Sequence, residues 1–197
     1  MQEQPPALSP EEVAHLSARE YAQLGQPQTV KVFGILHVVF GVFGVLMILW
    51  TLYVTLVGNP FMALAGNTPQ TQMQTDLERE MMGYTVVSTA VFALITVLIL
   101  IAGTLLLKGR KSALKFSNAY AWLSIGTKII NLSVYFLYVQ PMTEDVMSSH
   151  AYGMAGVQTT IIVVTLISIL ASMIYPVLTL VLLNRPMVKT WFENQPA

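Results

Sequence analysis

Apolar residues occupy four long blocks of this chain, at 32–57, 84–107, 114–139 and 157–183, and polar segments separate the blocks. Each block exceeds the roughly 20 helical residues that cross a hydrocarbon layer. None shows strand-like alternation, and a backbone in lipid must satisfy its own hydrogen bonds, so only the helix is available. The pattern predicts an all-α integral membrane protein, an antiparallel four-helix transmembrane bundle.

The blocks divide the chain into three parts: a cytoplasmic amino-terminal segment at 1–30, a four-span membrane domain at 31–185 and a cytoplasmic tail at 186–197. Ser9, Pro10 and Glu12 form a helix-start pattern, and Gly25 suits a helix end, which together predict a short amphipathic helix over 10–24. This segment lacks the basic start and short apolar core of a secretory signal, so we expect the first span to be an uncleaved anchor.

The two predicted outer loops, at 58–83 and 140–156, also carry local signals. Thr68 and Pro69 predict a helix that continues through Met82 into the second span. Trp191 and Phe192, beyond the fourth span, suit the inner membrane interface.

The distribution of basic residues predicts the orientation, because cytoplasmic flanks of spans collect lysine and arginine. The basic residues at or near the ends of the spans lie almost entirely on one side: Lys31, Lys108, Arg110, Lys111, Lys115, Arg185 and Lys189. The outer loops contain a single basic residue, Arg79. Both termini are therefore expected in the cytoplasm. No outer loop carries a usable glycosylation acceptor, which favours a bacterial inner membrane.

Small and hydroxylated residues mark one face of each span, where helices in lipid approach closely or bond to each other. Several recur at intervals of seven: Gly34, Gly41, Ile48 and Thr55; Thr89, Thr96 and Gly103; Ser117, Ser124 and Asn131; Thr165, Ser172 and Thr179. This interval is typical of left-handed bundles. We expect these faces to form a polar interior, although chance alignment of common serines and threonines is the alternative.

Composition excludes several classes of function. The chain is 54% hydrophobic and 10% charged, far from the quarter of charged residues usual in soluble domains, and its mean hydropathy is +0.62. Its net charge is zero and it has no long basic run, so we expect no nucleic-acid partner. It has no cysteine, hence no disulfide or thiolate chemistry. No catalytic, metal or cofactor motif is found, which predicts a protein that is not an enzyme.

Lys128 is the one formal charge deep within a span. An isolated lysine there costs about 2.5 to 3.5 kcal/mol on insertion scales, so it should face the interior beside a partner such as Ser124 or Asn131. Three interpretations stay open. The side chain extends outward to an outer-loop acid such as Asp76, Glu80 or Glu144, it lines an ion or substrate path, or it pairs with an acid of another subunit.

Two further residues, His37 and Pro176, are candidates for a functional role. His37 lies on the glycine face of the first span, where it can act as a proton relay or as a hydrogen-bonded packing residue. Pro176 removes one helix hydrogen bond late in the fourth span, and the resulting kink serves either a gate or packing.

Two functions are compatible with these features. The first is a scaffold or accessory subunit of a membrane complex, with a protein partner or a second copy of the chain. The second is a small channel or transporter with a polar interior around Lys128. The order of spans is similar to that of tetraspanins and claudins in topology only, since their outer-loop cysteines have no counterpart here.

Overall fold

The computed structural model describes residues 25–66, 68–149 and 155–195, and within them every regular element is a helix. The elements are α1 (Gln28–Val57), α2 (Pro60–Ala65), α3 (Pro69–Glu80), α4 (Met82–Leu107), α5 (Ala113–Val134), the π-helical turn π1 (Tyr135–Val139), α6 (Gln140–Ser149), α7 (Ala155–Leu183) and α8 (Pro186–Glu193). The helix predicted at 10–24 lies outside the described residues.

Within the described residues, four helices are long and apolar enough to cross a membrane. They are α1, α4, the continuous stretch from α5 through π1 as far as Asp145, and α7 over Ile162–Leu183. The prediction of an all-helical chain with four such helices is confirmed. α1 begins at Gln28, before the predicted start at 32, and Pro27 precedes it.

The long helices pack in the order of the chain. α1 lies against α4, α4 against α5, and α5 against α7, whereas the backbones of α1 and α7 seldom approach each other and the two helices meet through the side chain of Tyr175. One side of the assembly is therefore loosely closed, between α1 and α7.

Glycines bring α1 and α4 into close contact. A Cβ atom at Gly103 of α4 would lie 2.8 Å from His37 Cβ and 2.9 Å from the backbone nitrogen of Val38. A Cβ at Gly34 would lie 2.8 Å from Leu107 Cδ2, and one at Gly44 would lie 2.6 Å from Thr96 Oγ1. Glycine at these positions is what permits the two helices to approach so closely.

Burial is concentrated at one end of the helices, which we call the packed end. The buried residues of the long helices there are Val30, Phe33, Gly34, His37, Gly41 and Gly44 of α1; Thr96, Ile99, Ala102, Gly103 and Leu106 of α4; Ala113, Ser117, Tyr120, Ala121 and Ser124 of α5; and Pro176, Thr179 and Leu183 of α7. Among side chains that the structure describes, none of these helices has a buried residue beyond Gly44, Thr96, Ser124 and Pro176 toward its other end, which we call the open end. The heptad faces predicted from the sequence are thus buried at the packed end only, and Thr55 is exposed.

The carboxyl-terminal segment forms a helix, α8, that docks at the packed end. Val188, Trp191 and Phe192 join the hydrophobic cluster of Val30, Phe33, Leu106, Ala113 and Leu183. The Trp191 ring covers the turn between α4 and α5, where Gly109 adopts φ +65°. Trp191 and Phe192 are only 5% and 2% exposed, so both rings pack inside the protein, and their depth at the membrane interface stays a prediction. Pro186 begins a new helix after Arg185. The apolar face of this helix turns the rings of Trp191 and Phe192 toward the hydrophobic cluster.

Short helices lie at the open end. The predicted helix start at Thr68 is confirmed, with reciprocal capping by Thr71, whose backbone N–H donates to Thr68 Oγ1 at 3.2 Å. α3 ends at Glu80, and Met81 separates it from α4. α3 also contacts α6, so the two connections at this end pack together.

Candidate functional site

A cavity of about 600 Å³ lies among the four long helices, directly beyond the packed end. Its volume falls within the range of about 300 to 1,000 Å³ that is usual for small-molecule sites. All four helices contribute to its wall: Phe40, Phe43, Gly44 and Met47 of α1; Ser88, Phe92, Ile95, Thr96 and Ile99 of α4; Tyr120, Ser124, Thr127, Lys128 and Asn131 of α5; and Ile169, Ala171, Ser172 and Tyr175 of α7. The centre of the protein is therefore not tightly packed.

Lys128 is the only charged residue in this wall, as far as the structure describes the chain. The side chain is half-buried, and Nζ donates a hydrogen bond to Ser124 Oγ at 2.8 Å. Ser124 precedes Lys128 by one helical turn, so the ammonium is directed toward the packed end. Outward extension to the acids at the open end would require the opposite direction.

The surroundings of the ammonium determine its chemistry. A lysine ammonium has three N–H donors, of which Ser124 accepts one. Asn131 lies one turn further along the same wall, and its amide can donate or accept. Because none of the described residues that line the cavity is a carboxylate and an uncompensated charge away from water is costly, the site is suited to an anion.

His37 lies outside the cavity wall, fully buried in the packed end. A hydrogen bond of 2.5 Å joins its Nδ1 to the hydroxyl oxygen of Tyr175. Its Nε2 is buried without a hydrogen-bond partner in the described part of the chain. The rings of Phe33, Tyr120 and Tyr175 surround the imidazole, with centroids 5.3 to 6.3 Å away.

Two tyrosines connect this histidine to the cavity. Tyr175 and Tyr120 both line the cavity while contacting His37, and their ring centroids lie 6.3 Å apart. The structure thus brings Ser124, Lys128 and Asn131 together in one wall and places His37 behind it. Sequence reasoning missed both tyrosines as site residues, although Tyr120 precedes Ser124 by one helical turn and therefore shares its face.

Pro176 is buried beside Tyr175 at the packed end. It lies inside α7, where its missing N–H leaves the carbonyl of Ser172, four residues earlier, without its helical donor. Ser172 lines the cavity. The proline therefore frees a backbone acceptor at the cavity's edge.

An amide pair fastens α5 to the end of α7. Asn118 and Asn184 exchange hydrogen bonds through their side chains, at 3.1 Å and 2.7 Å, and Asn184 Nδ2 also donates to the carbonyl of Leu180 at 2.8 Å. Neither asparagine was predicted from the sequence to form this pair. The only available signal was an asparagine directly after the last apolar residue of the fourth block.

The π-helical turn changes the face of the third long helix at the open end. Here the backbone N–H of Gln140 bonds to the carbonyl of Tyr135, five residues earlier, instead of four. A wider turn rotates all later residues relative to a regular helix. Within this turn, Tyr138 is 69% exposed.

No family model matches the sequence, and no curated protein or solved structure is significantly similar to it. The function is therefore inferred from the geometry of the cavity.

Proposed function

We propose that this chain is a multi-pass membrane protein, not an enzyme, whose four spans form an antiparallel bundle and whose cavity passes a small anionic ligand, as in a small channel or transporter. The observation that carries the proposal is the position of Lys128 in the wall of a central cavity. A lysine at this depth is costly, and intramembrane charges of this kind commonly mark substrate or ion pathways.

The contacts between α1 and α4 support the antiparallel arrangement. Gly34 meets Leu107, Gly41 meets Leu100 and Gly44 meets Thr96, so position numbers rise along one helix as they fall along the other. A connection at 108–112 joins α4 to α5, and short connections favour antiparallel neighbours.

The basic residues support a cell-membrane location with both termini in the cytoplasm. Lys31, Lys111 and Lys189 are exposed at the packed end, which would then face the cytoplasm. The absence of outer-loop glycosylation acceptors favours a bacterial inner membrane.

Flux measurements in proteoliposomes test the proposal. We expect purified protein to increase the flux of chloride, nitrate or acetate above that of empty liposomes, since a lysine in a pore favours anions. Lys128→Met should abolish this flux, because methionine keeps an unbranched apolar chain and removes the charge. Lys115→Met is the matched control, since Lys115 is exposed near the start of α5 and does not line the cavity.

Two results would contradict the proposal. One is wild-type protein that carries none of these anions faster than empty liposomes. The other is flux that Lys128→Met and Lys115→Met reduce equally.

The second candidate is a scaffold or accessory subunit with a protein partner or a second copy of the chain. The observation that favours it is α2 at the open end, where Phe61 and Leu64 are 68% and 85% exposed. Large apolar side chains on a segment too short to cross a membrane suit a partner surface. We expect Phe61→Ser with Leu64→Ser to release a partner or dissociate an oligomer in mild detergent, measured by light scattering. A strictly monomeric wild-type protein that retains no partner would contradict this candidate.

A further inference from the structure

We infer that the cavity takes an amphiphile with a single anionic head, which enters from the bilayer between α1 and α7 and places its head against Lys128. The inference rests on the proposed function, since it names the class of ligand that the same cavity would pass.

The opening of the cavity gives the route. The backbones of α1 and α7 seldom approach each other. Tyr175 bridges the two helices at the packed end, and wall residues on both helices beyond it are exposed. On α1 these include Phe43 and Met47, which are 60% and 55% exposed, and on α7 they include Ala171 and Ser172. In a spanning bundle these positions are at mid-depth, so the opening faces hydrocarbon. A ligand that uses this route must be soluble in lipid.

Charge complementarity gives the head. Two donors of the Lys128 ammonium remain after its bond to Ser124, and the part of the wall that the structure describes contains no carboxylate. A carboxylate or phosphate oxygen accepts from an ammonium in a short, charge-assisted hydrogen bond. The neighbouring Asn131 amide is available as a further donor.

The rest of the wall gives the tail. Large apolar side chains line much of the same cavity, among them Phe40, Phe43, Met47 and Phe92. An alkyl chain gains about 0.8 kcal/mol for each CH₂ group removed from water, and flexible methionine side chains adapt to chains of different shape. An inorganic anion would use the ammonium and leave this surface uncovered.

Binding of tritiated oleate to the protein in phosphatidylcholine nanodiscs, followed by scintillation proximity, tests the inference. Unlabelled oleate and dodecyl phosphate should both compete, whereas oleyl alcohol, which lacks the charge, and inorganic phosphate, which lacks the tail, should not. Lys128→Met should weaken oleate binding about tenfold to a hundredfold, the range for hydrogen bonds to charged groups. Lys128→Arg should retain most of the affinity.

A second pair of variants tests the route. Ala171→Trp places a bulky ring in the opening and should block binding, whereas Leu170→Trp should not, because Leu170 is exposed outside the cavity wall. Circular dichroism establishes that each variant is folded.

Three results would overturn the inference: no saturable oleate binding by the wild type, equal competition by oleyl alcohol, or equal competition by inorganic phosphate. All three are measured on the wild type, and the third assigns the site to a free anion. Anion flux without oleate binding would leave the proposed function standing and remove this inference. Oleate binding without anion flux would leave the binding of an amphiphile standing and remove the proposed passage of small anions.

Discussion

Replacing Gly103 by alanine tests the close contact between α1 and α4. The new methyl group would lie 2.8 Å from His37 Cβ and 2.9 Å from the Val38 backbone nitrogen. Neither atom can move by rotating a side chain, because both are fixed to the backbone of α1. Relief therefore requires α1 and α4 to separate.

The structure sets the size of the effect. Ordinary contact begins at 3.4 Å, so the helices must move apart by roughly 0.6 Å at this point. Overpacking of this kind costs about 1 to 3 kcal/mol. Spans stay helical in detergent because their backbones must be hydrogen-bonded, so alanine's higher helix propensity offsets little of this cost. We expect Gly103→Ala to lower the free energy of unfolding by about 2 kcal/mol.

Unfolding of the dodecylmaltoside-solubilised protein by sodium dodecyl sulfate, followed by near-ultraviolet circular dichroism, measures this loss. Gly126→Ala is the matched control, because it makes the same change within α5 where a Cβ would meet nothing within 4 Å. The control should stay within about 0.5 kcal/mol of wild type. Equal stability of the two variants would refute the close packing of α1 on α4.

The same unfolding assay tests three further contacts. Asn118→Leu and Asn184→Leu should each lower the free energy of unfolding by about 1 to 2 kcal/mol, because each leaves the other amide without its partner. The double variant should lower it by less than the sum of the two losses, and strict additivity would rule out the pair. Trp191→Ala should cost about 3 to 5 kcal/mol and release α8 to protease, so a tail that resists cleavage as in wild type would contradict its docking through this ring. Tyr175→Phe should lower the free energy of unfolding by about 1 to 3 kcal/mol, because it leaves His37 Nδ1 buried without a partner. In protein that already carries His37→Phe, the same substitution should cause no such loss. An equal loss with and without His37→Phe would exclude the bond.

The length of the four apolar blocks made the long helices predictable from sequence. Continuous blocks near the length of a membrane crossing leave few alternatives, and Thr68 with Pro69 marked the start of α3 correctly. The glycine face of α1 was also foreseen at Gly34 and Gly41, because only close packing accounts for glycines at that interval.

The extent of the contact faces could not be predicted, because a heptad pattern does not indicate where two helices diverge. Thr55 continues the pattern of Gly41 and yet is exposed. The π-helical turn at Tyr135–Val139 rotates the third helix without a sequence signal of its own. The partners of His37 and Asn118 lie on α7 and just beyond it, and pairing across such distances depends on three-dimensional packing.

Labelling of introduced cysteines is the most direct test of the central claim, that four helices cross the bilayer and hold Lys128 within it. The chain contains no cysteine, so single variants at the exposed positions Glu78, Lys111 and Lys189 report without background. In spheroplasts of a bacterial host, a membrane-impermeant maleimide should label Glu78→Cys directly. Lys111→Cys and Lys189→Cys should react only after permeabilisation. Labelling of Lys111→Cys and Lys189→Cys from opposite faces, or of all three variants in intact spheroplasts, would contradict the account.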